Sequence, residues 1–240
     1  MKKSRPAENR RPRTSRASEA VAAASAAGDA STCADDVYHE IMLRIVRGAL
    51  TGGVELKSTL LAREFGVSRT PVLQALNRLA ADGVIRLERN KRAIVLPGTE
   101  NWLVEIHQLR ELLEPNAAAL AATNINEAEL ERLRGMQEEA RPDSSPDWPA
   151  AAQRFDFGLH LAVAEACGNL VLGAAIRKCW SYKRLSYEAG ADGHEVLAQA
   201  WTEHAAIVAA LAAHDAEEAS RAMLAHIRSA GSLRSARTIV

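Results

Sequence analysis

Cysteine and aromatic residues are scarce in this 240-residue sequence, which has three cysteines and only 4% phenylalanine, tyrosine and tryptophan. Cys33, Cys167 and Cys179 form no spaced framework, and no Cys-x-x-Cys pair is present. This pattern argues against a disulfide-stabilised secreted domain and against a thiolate zinc site. We therefore expect a cytoplasmic protein in which Cys167 and Cys179 are small packing residues.

The sequence also lacks an apolar run near the roughly 18 residues that a membrane-spanning helix requires, so we expect no membrane partner. Net charge is absent as well, but the charges are unevenly distributed. Residues 1–97 contain 17 lysines and arginines against 10 acidic residues, whereas residues 98–240 contain 13 against 20. A basic first part indicates a nucleic-acid partner, and chance partition of surface charge is the alternative explanation.

Residues 1–34 are predicted to be a disordered basic tail. The stretch MKKSRPAENRRPRTSR has seven basic residues and one acidic residue. The small, polar stretch after it is interrupted by Glu19 and Asp29 and lacks the leucine-rich core of a signal peptide. Such a tail either contacts DNA phosphates or only keeps the protein in solution.

Residues 35–97 show the pattern of a winged helix-turn-helix domain. A helix predicted over residues 36–51 and stopped by Gly52-Gly53 precedes two further helices, which Ser58 and Ser68 can cap. Two short strand-like runs follow, VIRLE and RAIVL, joined by the basic turn ERNKR. Three helices followed by a basic hairpin predict this DNA-binding fold.

Residues 98–240 are predicted to be an all-α helical bundle, which makes the whole protein mainly α. Pro115 is expected to kink or split the first helix. Asn126 and Asp215 are each followed three residues later by glutamate, as at a capped helix start. The predicted helices cover residues 99–122, 126–140, 147–167, 169–189, 194–213 and 215–235.

The segment LLAREFGVSRTPVLQALNRLAADGVIRLERNKRAIVLP strongly resembles the DNA-binding domain of GntR-family transcription regulators. The resemblance covers residues 36–97 and implies that the helix opening at Ser68 is the recognition helix, with double-stranded operator DNA as partner. Ser68, Arg69 and Thr70 in its first turn can reach phosphates or base edges, and Arg69 is the candidate for reading guanine. Further candidates for DNA-backbone or minor-groove contacts, with solvated surface charge as the alternative, are Arg44, Arg47, Lys57, Arg89, Lys91 and Arg92.

Two departures from the family pattern affect this prediction. Leu73-Gln74 stand where the family commonly has Arg-Glu, and leucine cannot read guanine. Lys91-Arg92-Ala93 replace the usual Arg-Gly-Ala of the wing, which removes a residue with easy access to positive φ. We therefore expect an altered operator preference and a reshaped wing.

The stretch FDFGLHLAVAEACGN places Asp156 and His160 four residues apart, on one face of a mostly apolar helix. Such a pair needs a side chain, solvent or a metal ion as partner. His204 and His226 lie among apolar residues of later helices. A carboxylate and three imidazoles that met in a bundle core would suit a divalent ion. The alternatives are packed histidines and an ordinary Asp–His salt bridge.

The second part of the chain resembles the FCD effector domain of the FadR subfamily of GntR regulators. The resemblance rests on LRELLEPNAAALAA, DFGLH, ACGNLVL, EHAAIVAAL and MLAHI, over residues 99–235. It implies that Asp156, His160, His204 and His226 bind a divalent metal ion, with zinc first and nickel or another first-row ion as alternatives. A small carboxylate effector would coordinate this ion and pair with Arg110, for which a structural salt bridge is the alternative role.

These observations predict a homodimeric, ligand-responsive transcription regulator, a repressor, and not an enzyme. One alternative is the same regulator with a purely structural metal and no effector. A metal-dependent hydrolase is the weaker alternative, because the sequence has no HExxH motif and no evident general base beside the ligands. The remaining histidines, predicted to lie on the surface or in loops, are His39, His107, His194 and His214.

Overall fold

The computed structural model describes residues 33–88, 92–189 and 193–235. They form two compact units, of which the first contains the residues up to Met42 and Gly53–Leu96. The second contains Leu43–Gly52 and the chain from Pro97 onward. The predicted tail, apart from its last two residues, lies outside the described residues, as do Arg89 and Lys91 at the wing tip. The predictions made for them stay predictions.

The N-terminal elements are three helices and a small sheet, as the pattern predicts. Helix α1 covers residues 33–46 of the described chain, and α2 (Ser58–Glu64) and α3 (Arg69–Ala81) follow. Strands β1 (Glu55–Leu56), β2 (Ile85–Leu87) and β3 (Ala93–Val95) form an antiparallel sheet of order β1-β3-β2. The buried side chains of α3 hold it on the core of this unit: Val72, Ala75, Leu76 and Leu79.

Two local predictions in this region are wrong. Helix α1 ends at residue 46 rather than 51, because Gly48 adopts a φ of 73° and Ala49 N–H donates to the carbonyl of Arg44 at 2.8 Å. A glycine in the left-handed region just past a helix is a common stop signal. The N-cap of α2 is Lys57 rather than Ser58. Strand β1 was not predicted, since two residues are too few to show a period.

The second unit is a bundle of six described helices that begins after a short 3-10 turn, Thr99–Asn101. Helix α4 packs against α6, α7, α8 and α9, and α5 packs against α6 and α8. No helix in the described ranges has the length and hydropathy that crossing a bilayer would need. The helices are α4 (Trp102–Asn124), α5 (Glu127–Glu139), α6 (Trp148–Ala166), α7 (Leu170–Ala189), α8 (His194–Ala212) and α9 (Ala216–Ser235).

Helix α4 is the centre of the bundle, and it runs through Pro115 without being split. Proline removes one backbone N–H from the helix, but Ala117, Ala118 and Ala121 are fully buried on the same helix. These small side chains let neighbouring helices approach closely, so packing holds the helix together across the proline. The predicted split at Pro115 is therefore wrong, and the predicted kink, the other part of that expectation, stays a prediction.

The predicted helix starts at Asn126 and Asp215 are confirmed. The side-chain oxygen of Asn126 accepts a hydrogen bond from the Glu129 N–H at 2.9 Å, and that of Asp215 accepts one from the Glu218 N–H at 2.9 Å. Each bond satisfies a backbone donor that the first turn of a helix leaves without a partner. These caps fix where α5 and α9 begin.

A tight corner joins α6 to α7. Gly168 adopts a φ of 68°, and the side chain of Asn169 accepts hydrogen bonds from the N–H groups of Val171 and Leu172 at 3.1 and 3.0 Å. The sequence-based prediction that Asn169 turns or caps the chain is confirmed. The two helices come so close that a Cβ at Gly173 would lie 2.4 Å from the backbone oxygen of Ala164.

Candidate metal centre

Four ligand-type side chains from three helices meet inside the helical bundle. Asp156 and His160 come from α6, His204 from α8 and His226 from α9, and one ligand atom of each lies within 4.8 Å of the others. The three histidines are buried and Asp156 is partly buried. The structure therefore brings together all four residues of the predicted metal site.

The spacing of these atoms suits a first-row ion. Asp156 Oδ1 lies 3.2 Å from Nε2 of His204, 3.4 Å from Nε2 of His160 and 4.0 Å from Nε2 of His226. The Nε2 atoms of His204 and His226 are 3.1 Å apart. Tetrahedral bonds of roughly 2.1 Å require ligand atoms about 3.4 Å apart. An ion at the centre therefore needs only small movements of these side chains.

Two histidines are held with Nε2 facing the centre. Nδ1 of His160 donates a hydrogen bond to Glu114 Oε2, and Nδ1 of His226 donates to Glu203 Oε2 at 2.8 Å. A carboxylate behind an imidazole fixes the tautomer that presents its other nitrogen as a lone pair. Nε2 of His160 is buried and makes no hydrogen bond to any described residue. A cation at the centre would give this nitrogen a partner.

Glu114 is itself held by two donors. Arg110 Nε donates to Glu114 Oε1 at 2.5 Å, and Trp180 Nε1 donates to the same oxygen at 3.0 Å. Burial alone would raise the pKa of Glu114, but the charges of Arg110 and His160 outweigh burial and lower it to about 2. Trp180 also covers His160, with ring centroids 4.5 Å apart. Glu114 is thus an anion that anchors the His160 ring.

The structure gives Arg110, the predicted effector-binding residue, a partner within the protein. Its side chain is 2% exposed, pairs with Glu114 and lies 4.3 Å from the centre of the Trp180 ring. This matches the salt-bridge alternative stated for Arg110. Its contact with an effector stays a prediction, and what the described contacts show is the positioning of Glu114.

The protonation of the cluster favours the ligand forms of three side chains. Burial opposes the charge of Asp156, but its close contacts with His160 and His204 hold its pKa well below the usual range. Burial lowers the pKa of His204, and burial with repulsion from His204 lowers the pKa of His226 to about 3. Burial also opposes charge on His160, yet Glu114 and Asp156 raise its pKa. A metal ion would compete with a proton mainly at His160.

Lys183 on α7 is a buried cation near the cluster. Its side chain is 7% exposed, and its Nζ lies 6.0 Å from the centre of the Trp180 ring. Its charge also lowers the pKa of Asp156, with a smaller effect than the contacts of Asp156 with His160 and His204. A buried ammonium is unfavourable unless negative charge accompanies it. Lys183 therefore adds positive charge to a site that would already hold a cation.

Sequence reasoning missed Glu114, Glu203 and Lys183. Glu114 lies four residues after Arg110, a spacing that signals a helical ion pair but not its position behind a histidine. None of the four remaining histidines joins the cluster within the described residues. Of the histidines predicted to lie on the surface or in loops, His107 is half-buried on α4 and packs against Gly231, and His39 is half-buried on α1.

The predicted DNA-reading residues begin α3 and face solvent. Ser68 is the N-cap, although its side chain makes no capping bond, and Arg69 and Thr70 follow; all three are exposed. Gln74 and Asn77 continue the same exposed face at helical spacing. Glutamine and asparagine can each pair with adenine through two hydrogen bonds. These two residues extend the predicted DNA-contacting surface. The signal in the sequence that could have identified them is their helical spacing, four and then three residues along the chain from Thr70.

The other candidate DNA contacts differ in their surroundings. Lys57 and Arg47 are exposed and Arg44 is half-buried. Arg92 is exposed, but its guanidinium makes two hydrogen bonds with Glu55 at 3.2 and 3.0 Å. A DNA contact by Arg92 would therefore compete with an acid on β1. The contacts predicted for all of these residues stay predictions.

Two family models match the chain. The model described as "Bacterial regulatory proteins, gntR family" matches residues 33–95, and the FCD domain model matches residues 105–229. The second match covers more than half of the chain and contains all four residues of the cluster.

Curated relatives agree with these models. A probable D-xylose utilization operon transcriptional repressor of Paenarthrobacter nicotinovorans is 30% identical over 204 residues, which cover 82% of this chain and 86% of that protein. The HTH-type transcriptional regulator LutR of Bacillus subtilis is 28% identical over 215 residues, covering 76% and 92%. The gluconate operon transcriptional repressor of B. subtilis is 45% identical over 78 residues, so this chain spans about a third (32%) of that relative.

Solved structures show the same fold. E. coli McbR/YncC matches with a TM-score of 0.62 at 22% identity, covering 86% of this chain and 98% of that one. Lar, which controls the expression of the Listeria monocytogenes agr system, matches with a TM-score of 0.56 at 20% identity, covering 84% and 96%. The predicted fold class is confirmed. The chain belongs to the GntR family of bacterial regulatory proteins, as a member with an FCD domain, and it is a DNA-binding transcription regulator rather than an enzyme.

Proposed function

We propose that this protein is a cytoplasmic, homodimeric repressor whose helical unit binds a divalent metal ion and a small organic acid. The observation that carries the proposal is the meeting of Asp156, His160, His204 and His226 around one point, with a buried nitrogen that lacks a partner among the described residues. The ion would be held by these four side chains and would offer a coordination position to the acid. Binding of the acid would then change the affinity for operator DNA.

The charges around the centre favour an anionic effector. Arg110 and Glu114 cancel each other as a buried pair. A divalent ion would join the buried cation Lys183, whose charge contributes to the low pKa of Asp156, in a largely buried site. Buried cations are stabilised by negative charge beside them. A carboxylate bound to the ion would supply such charge, and this supports the proposed effector class.

Zinc is the first candidate ion, with nickel or another first-row metal as alternatives. Imidazole nitrogen with one carboxylate suits these borderline ions, whereas magnesium and calcium prefer oxygen ligands. The carboxylates behind His160 and His226 increase the basicity of both rings. Elemental analysis of the purified full chain tests the proposal, and one first-row ion per chain is the expected result. Absence of metal after purification and after dialysis against zinc and nickel would contradict it.

A purely structural metal without an effector is the second candidate function. The chelator EDTA would then unfold the helical unit, while a panel of mono- and dicarboxylates would change neither the melting temperature nor DNA affinity. A hydrolase finds no support in the site. The two carboxylates behind the ligands, Glu114 and Glu203, are hydrogen-bonded to histidines and are not free to act as a base.

Arg69→Ala is expected to weaken binding to operator DNA from the protein's own upstream region by about 5- to 150-fold, because a bidentate arginine–guanine contact contributes roughly 1–3 kcal/mol of discrimination. Affinity for unrelated duplex DNA should change little. Fluorescence anisotropy at fixed salt measures both affinities. Arg134→Ala, which removes an exposed arginine from α5, is the matched control. Equal weakening on both DNA sequences would show that Arg69 contacts only the backbone.

Lys183→Met is expected to lower affinity for a carboxylate about 10-fold or more while metal content stays at the wild-type level, because the substitution removes a buried cation near the proposed metal site. Isothermal titration of the zinc-loaded protein with each carboxylate of the panel measures the effect. Arg154→Met removes an exposed cation from α6 and serves as control. Unchanged carboxylate affinity in the Lys183 variant would remove Lys183 from the effector site.

A further inference from the structure

The outer face of the small N-terminal sheet has acidic and basic side chains in close alternation. Glu55 on β1 and Arg86 on β2 are register partners of the same residue of β3. Beside them the Glu88 N–H donates to the carbonyl of Arg92 at 2.9 Å, which continues the pairing of β2 with β3. Residues alternate between the two faces of a strand, and Ala93, the residue after Arg92, is fully buried. The four charged side chains therefore lie on the face opposite to the core.

Arg92 connects the wing hairpin to β1 through a forked ion pair. Its Nε donates to Glu55 Oε1 at 3.2 Å, and its Nη2 donates to Glu55 Oε2 at 3.0 Å. Two such hydrogen bonds are a strong and geometrically specific arrangement of an arginine with a carboxylate. The hydrogen bond and the charge of Glu55 raise the pKa of Arg92, and those of Arg92 lower the pKa of Glu55. Both groups are therefore charged at neutral pH, and the cation of Arg92 faces an anion.

Two further arginines of the first unit are also paired with acids. Arg78 Nη1 donates to Asp35 Oδ1 at 2.6 Å, and Arg86 Nη2 donates to Glu88 Oε1 at 3.2 Å. Arg69, at the start of α3, is exposed and has no acidic partner among the residues that the structure describes. The first unit therefore leaves Arg69 available to DNA, while acids neutralise three of its other arginines.

We propose that Glu55 sets how strongly this protein binds DNA of any sequence, by neutralising Arg92 on the wing hairpin. The inference concerns the DNA binding that family membership establishes, and it is independent of the proposed metal, effector and dimer. Arginine side chains contribute affinity for DNA by replacing the counterions of phosphates. An arginine held by a carboxylate brings no net charge to the phosphates, and the carboxylate itself repels them. Glu55 therefore keeps Arg92 from adding to the affinity.

The sheet does not need this ion pair to hold together. The Arg92 side chain is 52% exposed and that of Glu55 is 31% exposed, and exposed pairs contribute little to stability because water and salt screen them. Backbone hydrogen bonds join the same strands without it. The Gly53 N–H donates to the carbonyl of Val95 at 2.9 Å, and the Val95 N–H donates to that of Val54 at 3.0 Å. Removing the charge of Glu55 should therefore release Arg92 and leave the hairpin in place.

The effect of Glu55 should not depend on the DNA sequence. Contacts to phosphates position a protein on DNA but carry no sequence information directly. Release of Arg92 should therefore strengthen binding to operator and to unrelated duplex DNA by the same factor. In this respect Glu55 differs from Arg69, whose loss is expected to weaken operator binding selectively.

Glu55→Gln in the full chain tests the inference, because it removes the charge and nearly preserves the shape of the side chain. Affinity for unrelated duplex DNA should rise at least about 3-fold at low salt, and the logarithmic salt dependence should steepen by about 0.9, the slope of one additional phosphate contact. Fluorescence anisotropy across a salt series measures both. Asp36→Asn removes an exposed acid from α1 and should leave the slope at the wild-type value. Weaker binding, unchanged binding or an equal effect of the control would overturn the inference.

A double-variant comparison separates release of Arg92 from the mere loss of a negative charge. In an Arg92→Met background, Glu55→Gln should change affinity for the same duplex by less than about 1.5-fold, because no cation remains to be released. Glu55→Ala in the otherwise wild-type chain should give the same gain as Glu55→Gln, so the result does not depend on how a glutamine amide contacts Arg92. A gain of equal size with and without Arg92 would show that Glu55 acts only through its own charge, and the inference would fall.

Discussion

Replacing His204 with alanine is expected to abolish metal binding at the four-residue cluster. His204 Nε2 is the cluster atom nearest to both Asp156 Oδ1 and His226 Nε2 among the measured pairs, at 3.2 and 3.1 Å. Loss of an outer hydrogen bond to a ligand lowers metal affinity about 10- to 100-fold, so removal of the ligand itself should lower it by more than about 100-fold. Elemental analysis after dialysis against limiting zinc measures the loss.

Thermal unfolding gives an independent readout of the same variant. An ion bound at the proposed centre would stabilise the folded chain, so it would raise the melting temperature of the wild type, and EDTA should remove that increase. The His204 variant should melt at the same temperature with and without EDTA. His194→Ala changes an exposed histidine at the start of the same helix and should behave like the wild type. An EDTA-sensitive His204 variant would show that the ion is bound elsewhere.

Gly173→Ala is expected to destabilise the helical unit by about 2 kcal/mol. The new Cβ would lie 2.4 Å from the backbone oxygen of Ala164, which cannot rotate away as a side chain could. Overpacking of this kind costs up to about 3 kcal/mol, against which alanine gains roughly 1 kcal/mol in helix propensity over glycine. Urea unfolding followed by circular dichroism at the helical band measures the net loss.

Gly135→Ala is the matched control with the opposite sign. Gly135 lies on α5, and a Cβ there would meet no atom within 4 Å. Only the propensity gain of roughly 1 kcal/mol remains, so this variant should be more stable than the wild type. A stabilised Gly173 variant would mean that α6 and α7 separate more easily than their close approach indicates.

Helix boundaries in the second unit could be predicted almost to the residue because local chemistry sets them. Asn126 and Asp215 each accept a hydrogen bond from the backbone N–H three residues later, a local contact that the sequence itself indicates. The behaviour of α4 at Pro115 could not be predicted in this way. Its continuity depends on packing against several helices that are distant in sequence. The helix propensities of its own residues give no information on that packing.

The candidate site likewise contains residues that the sequence indicates and residues that it does not. Asp156 and His160 could be identified from the sequence, since a polar pair on one face of an apolar helix needs a partner. Glu114 and Glu203 are 46 and 23 residues from the histidines they hold. Glutamate is mostly exposed in proteins, so the sequence around it does not distinguish one that lies behind a candidate metal ligand. Their role follows only from the three-dimensional arrangement of α4, α8 and α9.

Helix α4 faces the candidate metal centre on one side and solvent on the other. Its inner side reaches the imidazole of His160 through the Arg110–Glu114 pair, and its outer side has Leu109 and Leu112 in solvent. The two sides are about one helix diameter apart, roughly 10 Å. Because a helix is stiff over this distance, a tilt of α4 at the side that holds His160 would displace its exposed side as well. Binding of an ion at the centre would in this way change the position of the exposed side of α4, with no intervening loop to absorb the movement.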